Sequence, residues 1–225
     1  LNPGQRTSTS RTATLVRVNP AFVSSVLELV NLGWADYDGL QMSLQKRFSH
    51  NYQFRVSYTY SKTTGNTASP GALETIATAT VDPATKITSL NLENGEGLTS
   101  QDRPHLLSIN GSVEVPHTGG LNLSGVFQYN SGTPYTLPDS TTDPNRNGNF
   151  EEPLPAGTYS GAATNSDAIT VENAGGIRGA RGPAYALMNM RAGYRFKMPH
   201  SRTLQARVDV FNVTNHANFN SPNGG

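Results

Sequence analysis

Residues 51–62 read N-Y-Q-F-R-V-S-Y-T-Y-S-K. Side chains of an extended strand alternate between its faces, so Tyr52, Phe54, Val56, Tyr58 and Tyr60 share one side. Gln53, Arg55, Ser57, Thr59 and Ser61 share the other. One face is apolar and its opposite is wet. A soluble β-sandwich turns such an apolar face onto a protein core, whereas a barrel in a membrane turns it to hydrocarbon and lets the polar face line a lumen.

The same period of two recurs along the chain. Leu40, Met42, Leu44 and Phe48 oppose Gln41, Ser43, Gln45 and Arg47, with Lys46 as the one break in the apolar series. Leu107, Ile109, Gly111, Val113 and Val115 oppose Leu106, Ser108, Asn110, Ser112 and Glu114, and Leu121, Leu123, Gly125, Phe127 and Tyr129 oppose a mainly polar set. Met188 to Met198 and Leu204 to Val210 repeat the pattern. The spacing predicts strands over 39–48, 52–62, 104–116, 121–131, 185–198 and 203–212, each paired with its sequence neighbour. Residues 21–30, A-F-V-S-S-V-L-E-L-V, fit a strand through Val26 to Val30, joined by a short loop at 31–38, and also fit a helical stripe of Phe22, Val26 and Val30. The strand is the reading adopted.

The links between the runs decide between core and lipid. Those at 49–51, 117–120 and 199–202 are tight turns, whereas 63–102 and 132–183 are long, and short and long links alternate. Long loops are uncommon inside compact domains, but turns on one rim and long loops on the other characterise a bacterial transmembrane barrel. The runs also match the roughly 9–11 tilted residues that cross a hydrocarbon layer, rather than the 5 or 6 usual in soluble strands. Tyr58, Tyr60, Tyr129 and Tyr135 gather before the long links, and Phe48 and Tyr52 flank a short turn, as interfacial girdles require. The expected fold is all-β: an antiparallel up-and-down meander forming part of a transmembrane β-barrel.

Composition agrees. Of 225 residues only 35% are hydrophobic, too few for a large packed core. The 17 basic and 16 acidic residues nearly cancel, which argues against a nucleic-acid partner and against a polybasic membrane anchor. Cysteine is absent, excluding a disulfide scaffold and a thiolate metal site. No apolar run is long enough for a transmembrane helix.

Several segments together resemble a known family: W-A-D-Y-D-G-L-Q-M-S-L-Q-K-R-F-S at 34–49, D-R-P-H-L-L-S-I-N-G-S-V at 102–113, F-Q-Y-N-S-G-T-P-Y-T at 127–136, R-G-P-A-Y-A-L-M-N-M-R at 181–191, and A-R-V-D-V-F-N-V-T-N-H-A-N-F at 206–219. In order and spacing they are similar to the C-terminal barrel of TonB-dependent outer-membrane receptors, of the type that carries a carboxypeptidase-regulatory-like domain. The resemblance implies a bacterial outer-membrane location and a barrel of about 22 strands. It also implies partners in lipid, in a plug domain and in the TonB system. Such receptors begin with a signal peptide, a TonB box and a plug domain, and end on an aromatic-terminated strand, none of which is matched in the sequence. The seven runs are an odd number, whereas single-chain bacterial barrels are even. Residues 1–225 are therefore expected to be a fragment of one barrel domain, irregular over 1–20, reaching the plug and TonB through parts outside it.

Three constellations carry candidate chemistry. In D-P-N-R-N-G-N-F-E-E (143–152), Asp143, Asn145, Asn147, Asn149 and Glu151 place oxygen donors at alternate positions around Gly148, like the start of a calcium loop. The twelfth position is Leu154 rather than a bidentate Glu, and the plainer account is a polar loop without metal. Calcium is the sole cofactor the residues suggest. G-G-I-R-G-A-R-G-P (175–183) has the glycines and cations of a phosphate cradle, but it leads into a strand rather than a helix N-terminus, so glycines at a strand entrance fit better. Arg55, Arg191, Arg195, Arg207 and Asp209 fall on the polar face, where they would line a lumen and meet a plug or an anionic solute, or pair with one another. No nucleophile elbow, metalloprotease pair or Cys–His combination occurs, and the five histidines are scattered. No enzymatic activity is expected.

The leading functional expectation is a barrel-wall segment of a TonB-dependent receptor that takes up a scarce solute, whether siderophore, oligosaccharide or peptide. The alternatives are a secreted β-sandwich that binds carbohydrate, which would bury the apolar face, and an outer-membrane enzyme, which would need a catalytic group.

Overall fold

The computed structural model describes residues 4–6, 15–17, 33–66, 78–81, 88–91, 96–139, 141, 152–160, 168–172 and 177–219. Six long strands form where the alternation predicts them: β1 (Ala35–Ser49), β2 (Tyr52–Gly65), β3 (His105–Glu114), β4 (Leu121–Asn130), β5 (Tyr185–Met198) and β6 (Arg202–Val210). Each pairs antiparallel with its neighbour in the spatial order β6–β5–β4–β3–β2–β1, a continuous meander, and a short strand at Gly97–Leu98 adds to the end of β2. The expected strand at 21–30 lies outside the described residues.

The short turns bend the backbone into the left-handed region. His50 and Asn51 have φ of 53° and 69°, His117 has 65°, and His200 and Ser201 have 63° and 56°. Two consecutive positive φ values between Ser49 and Tyr52 make a hairpin turn whose twist matches its strands. Histidine and asparagine are among the side chains that tolerate this region best. Three of the five histidines thus serve the backbone.

The register sorts the side chains into two faces. On one, Leu44, Val56, Ile109, Phe127 and Met188 stand directly opposite one another across five strands, and Tyr52, Val113, Leu123, Ala192 and Val208 form another such row. No second protein layer covers this face among the described residues: Leu40 is 57% exposed, Leu44 62%, Leu204 56% and Val208 63%. The hydrophobic residues that are buried, Leu98, Val171 and Ala180, all lie outside the six strands. Leaving side chains of this size in water forgoes about 1.5–3 kcal/mol each, so the surface is made for an apolar medium. A sandwich would cover such a face with a second sheet, and among the described residues none does so.

Both margins of the apolar face carry aromatic rings. Tyr58 and Tyr60 pack against His105, with ring centroids at 6.1 and 5.4 Å, and Tyr58 Oη bonds its Nδ1 at 2.8 Å. Toward the short turns, Tyr52 stacks on Phe54 and Tyr194 meets Phe196 at 4.6 Å. Lys46, the break in the apolar series, donates from Nζ to the Ser49 carbonyl at 2.9 Å and lies 3.9 Å from the Tyr52 ring. Its stem stays on the apolar surface while its charge reaches the margin. From Tyr52 to Tyr60 a strand rising about 3.4 Å per residue covers about 27 Å.

Several boundaries differ from the expectation, those of β1, β2, β3 and β6 by two residues or more. β1 begins at Ala35 rather than 39, because Ala35 to Asp38 pair with Gly65 to Lys62. Polar residues occupy both faces there, so the ladder continues where the alternation has ended, and the anticipated loop at 31–38 is shorter. β6 stops at Val210 rather than 212, since Asn212 and Asn215 turn the chain with φ of 49° and 50°. Val213 N–H then bonds the Met188 carbonyl at 2.8 Å. The Asn218 carboxamide accepts from Ala186 N–H at 2.9 Å and donates to its carbonyl at 3.0 Å, so 211–219 cover the stretch of β5 that β6 leaves open.

Val56 sits mid-strand between Leu44 and Ile109 on the apolar face, and Ser57 lies on the other. In the membrane-inserted parent protein, Val56→Arg is expected to cost about 2–4 kcal/mol, the value for arginine at a bilayer midplane, and Ser57→Arg well under half of that. Urea unfolding of the protein in phospholipid vesicles measures both.

Candidate functional site

The polar face holds two adjacent rows of directly opposed residues. One runs Gln45, Arg55, Asn110, Val126, Asn189; the next runs Gln53, Ser112, Ser124, Arg191, Asp209. Together with Phe211 they line a depression of about 550 Å³. The Arg191 guanidinium donates to both carboxylate oxygens of Asp209, Nη2 to Oδ2 at 3.2 Å, a planar fork that arginine is built for. Gln53 Nε2 donates to Ser112 Oγ at 3.1 Å, and Asn189 Oδ1 accepts the Asn212 N–H at 3.0 Å. Of the residues expected on this face, the structure brings Arg55, Arg191 and Asp209 together in the depression. Arg195 and Arg207 share the face but stand nearer the short turns, where Arg207 Nη2 bonds Gln205 Oε1 at 2.8 Å. Asp143, Asn145, Asn147, Asn149 and Glu151 lie outside the described residues. Among those described, no group of three or more His, Asp or Glu is placed to hold a metal ion.

A second assembly closes over the long-link end of the strands. Short strands at Pro134–Tyr135, Ala180–Arg181, Ile169–Val171 and Gly157–Tyr159 form a four-stranded sheet, so the link at 132–183 is folded over much of its length. Asp102 ties it to the main sheet. Fully buried, its carboxylate accepts Arg181 Nη2 at 2.6 Å, from 79 residues away in sequence, and the Thr63 N–H at 2.6 Å. Arg178 donates from Nε to the Leu98 carbonyl and from its backbone to Thr136 Oγ1 at 3.0 Å. Ile177 N–H bonds the Glu96 carbonyl, Arg103 Nη1 the Ser131 carbonyl, and Ser61 Oγ the Arg103 carbonyl. Burial pushes the pKa of the Tyr135 hydroxyl above its ordinary value.

Backbones approach so closely in this collar that side chains would not fit. A Cβ on Gly97 would stand 2.1 Å from the Ile177 carbonyl oxygen, and one on Gly132 only 1.8 Å from that of Gly182. Residues 177–183 therefore act as a clasp between two long links. Their use as a strand entrance accounts for Pro183 but misses the pairing with Asp102. The signal available in sequence was a lone Asp102 before Arg103-Pro104 and an arginine before Gly182-Pro183, each prefacing a long strand. Nothing local says that they meet.

A model of the outer membrane beta barrel domain matches residues 1–225, the whole chain. The chain belongs to that family. No curated protein and no solved structure matches it. The barrel domain resides in the bacterial outer membrane, and in such domains an uncovered apolar sheet face meets lipid while the polar face is turned to the interior.

In this outer-membrane domain the clasp holds a buried charge pair whose members depend on each other. Asp102→Asn is expected to loosen the collar by about 3 kcal/mol, since it leaves Arg181 only the exposed carboxylate of Glu172, 3.8 Å away. Replacing both partners with apolar residues (D102L with R181M) should restore part of the loss, the Thr63 N–H still lacking its acceptor. Protease cleavage within 132–183 of the folded protein reads both effects: faster for the single variant, closer to the parent for the double one.

Proposed function

We propose that the domain is a barrel-wall segment of a TonB-dependent receptor that takes up a scarce solute. The barrel role follows from the family, and the receptor role is the finer reading. The observation that carries it is the asymmetry of the two rims: turns of two to six residues on one, and on the other two long links clasped together around Asp102 and Arg181. A passive pore gains little from tying its links together, whereas a receptor needs loops held in a fixed arrangement to capture a dilute ligand before transport. The resemblance of the D-R-P-H, S-G-T-P-Y and R-G-P segments to such receptors adds support, since these segments build the collar.

In this reading the short turns at 49–51, 117–120 and 199–202 face the periplasm and the long links face outward. A plug and the TonB system act through parts of the protein beyond this domain, and the domain itself performs no catalysis. The solute class stays open among siderophores, oligosaccharides and peptides, because architecture constrains ligand weakly.

Two measurements test the proposal. Protease added to intact cells is expected to cut within the long links and leave the short turns whole; cutting at the turns reverses the orientation. The parent protein, purified in detergent, is expected to be retained by the periplasmic domain of a TonB protein. Absence of retention, together with unenergised conductance across planar bilayers, is the result expected of a passive porin instead.

A further inference from the structure

We propose that the depression on the lumen face is a subsite for a carboxylate-bearing, hydroxyl-rich small solute, with Arg55 as its charged anchor. The inference rests on the barrel reading and narrows the solute class that the receptor proposal leaves open. Its first ground is charge. The residues lining the depression include a single acidic side chain, Asp209, and the guanidinium of Arg191 occupies it from the neighbouring strand. Lys46 reaches away toward Ser49 and the Tyr52 ring. Arg55 stands opposite Gln45 and Asn110 in the register, so its neighbours across both strands are neutral amides. Among the described residues, the depression therefore keeps one positive charge without an acidic partner.

The second ground is the chemistry of its surroundings. A guanidinium presents a planar fork of donors that matches a carboxylate in two parallel hydrogen bonds. Gln45, Asn110 and Ser124, on the same two rows, offer amide and hydroxyl groups that suit a polyhydroxylated body. Val126 and the largely exposed ring of Phe211 supply apolar surface beside them. At about 550 Å³ the space is that of a small-molecule site rather than of a single ion. The site faces the lumen and not the lipid, so a solute crossing the barrel can meet it.

The test uses gluconate and sorbitol, which share an open hydroxylated chain and differ in the carboxylate, titrated by calorimetry into the detergent-purified parent protein. Heat-modifiable electrophoretic mobility first establishes that each variant is a folded barrel. Gluconate is expected to bind at least about tenfold more tightly than sorbitol, the usual strength of a hydrogen bond to a charged partner. Arg55→Ala is expected to abolish that preference, Arg55→Lys to keep part of it, and Arg207→Ala, on the same face but outside the depression, to leave it unchanged. Equal binding of the two polyols, or equal effects of Arg55→Ala and Arg207→Ala, overturns the subsite. If Arg55→Ala weakens the barrel's thermal stability without changing gluconate binding, Arg55 serves a protein contact and the proposal also falls. Failure of the mobility shift in the parent protein itself would instead count against the barrel reading.

Discussion

An apolar sheet face with no protein layer over it, on strands whose backbone groups pair laterally, is the constraint on which the rest of the structure depends. In hydrocarbon an unpaired N–H or C=O has no water to turn to, so the strands must be joined edge to edge through the whole apolar height. The continuous register from β1 to β6 does this. The side chains then have only to satisfy the medium on each side. Rows such as Leu44, Val56, Ile109, Phe127 and Met188 meet lipid, while Gln45, Arg55, Asn110 and Asn189 meet water. Lys46 shows how strictly the boundary is kept: a cation on the lipid face is tolerated because it reaches the turn and an aromatic ring at the margin.

Because the six strands bury no apolar core of their own, cohesion elsewhere must come from polar pairing. The collar supplies it. Asp102 is buried between Arg181 and the Thr63 amide, and Arg178 closes on the Leu98 carbonyl. Both long links are thereby fixed to the ends of β2 and β3. The lumen rows have the opposite character, open and only partly paired, as a surface for passing solutes requires. Rigid clasp and accessible wall are therefore separate regions of one sheet, and a change in one need not disturb the other.

Most of the wall was legible in sequence because a period of two is a strong signal when one face must be apolar. The six runs, their order and their pairing follow from it. The signal fails where both faces become polar, which is why Ala35–Asp38 reads as loop yet pairs with β2. It fails again at 211–219, where an asparagine side chain mimics a strand beside Ala186. Of the site, the place of Arg55, Arg191 and Asp209 on the polar face was readable from alternation, and the Arg191–Asp209 pair needed only the register. The collar was not readable, since Asp102 and Arg181 are joined by a fold of the links that no local pattern encodes.

The medium that touches Val56 distinguishes a membrane wall from a soluble sheet. The chain contains no cysteine, so Val56→Cys and Ser57→Cys each introduce a single thiol into it. In outer membranes carrying the parent protein, each variant is exposed to a bilayer-confined thiol reagent and to a water-soluble one. Strong lipid-side labelling at 56 with little at 57, and the reverse for the water-soluble reagent, is the predicted result. A thiol at 56 that the bilayer reagent does not reach, in a protein that stays soluble without detergent, would contradict it.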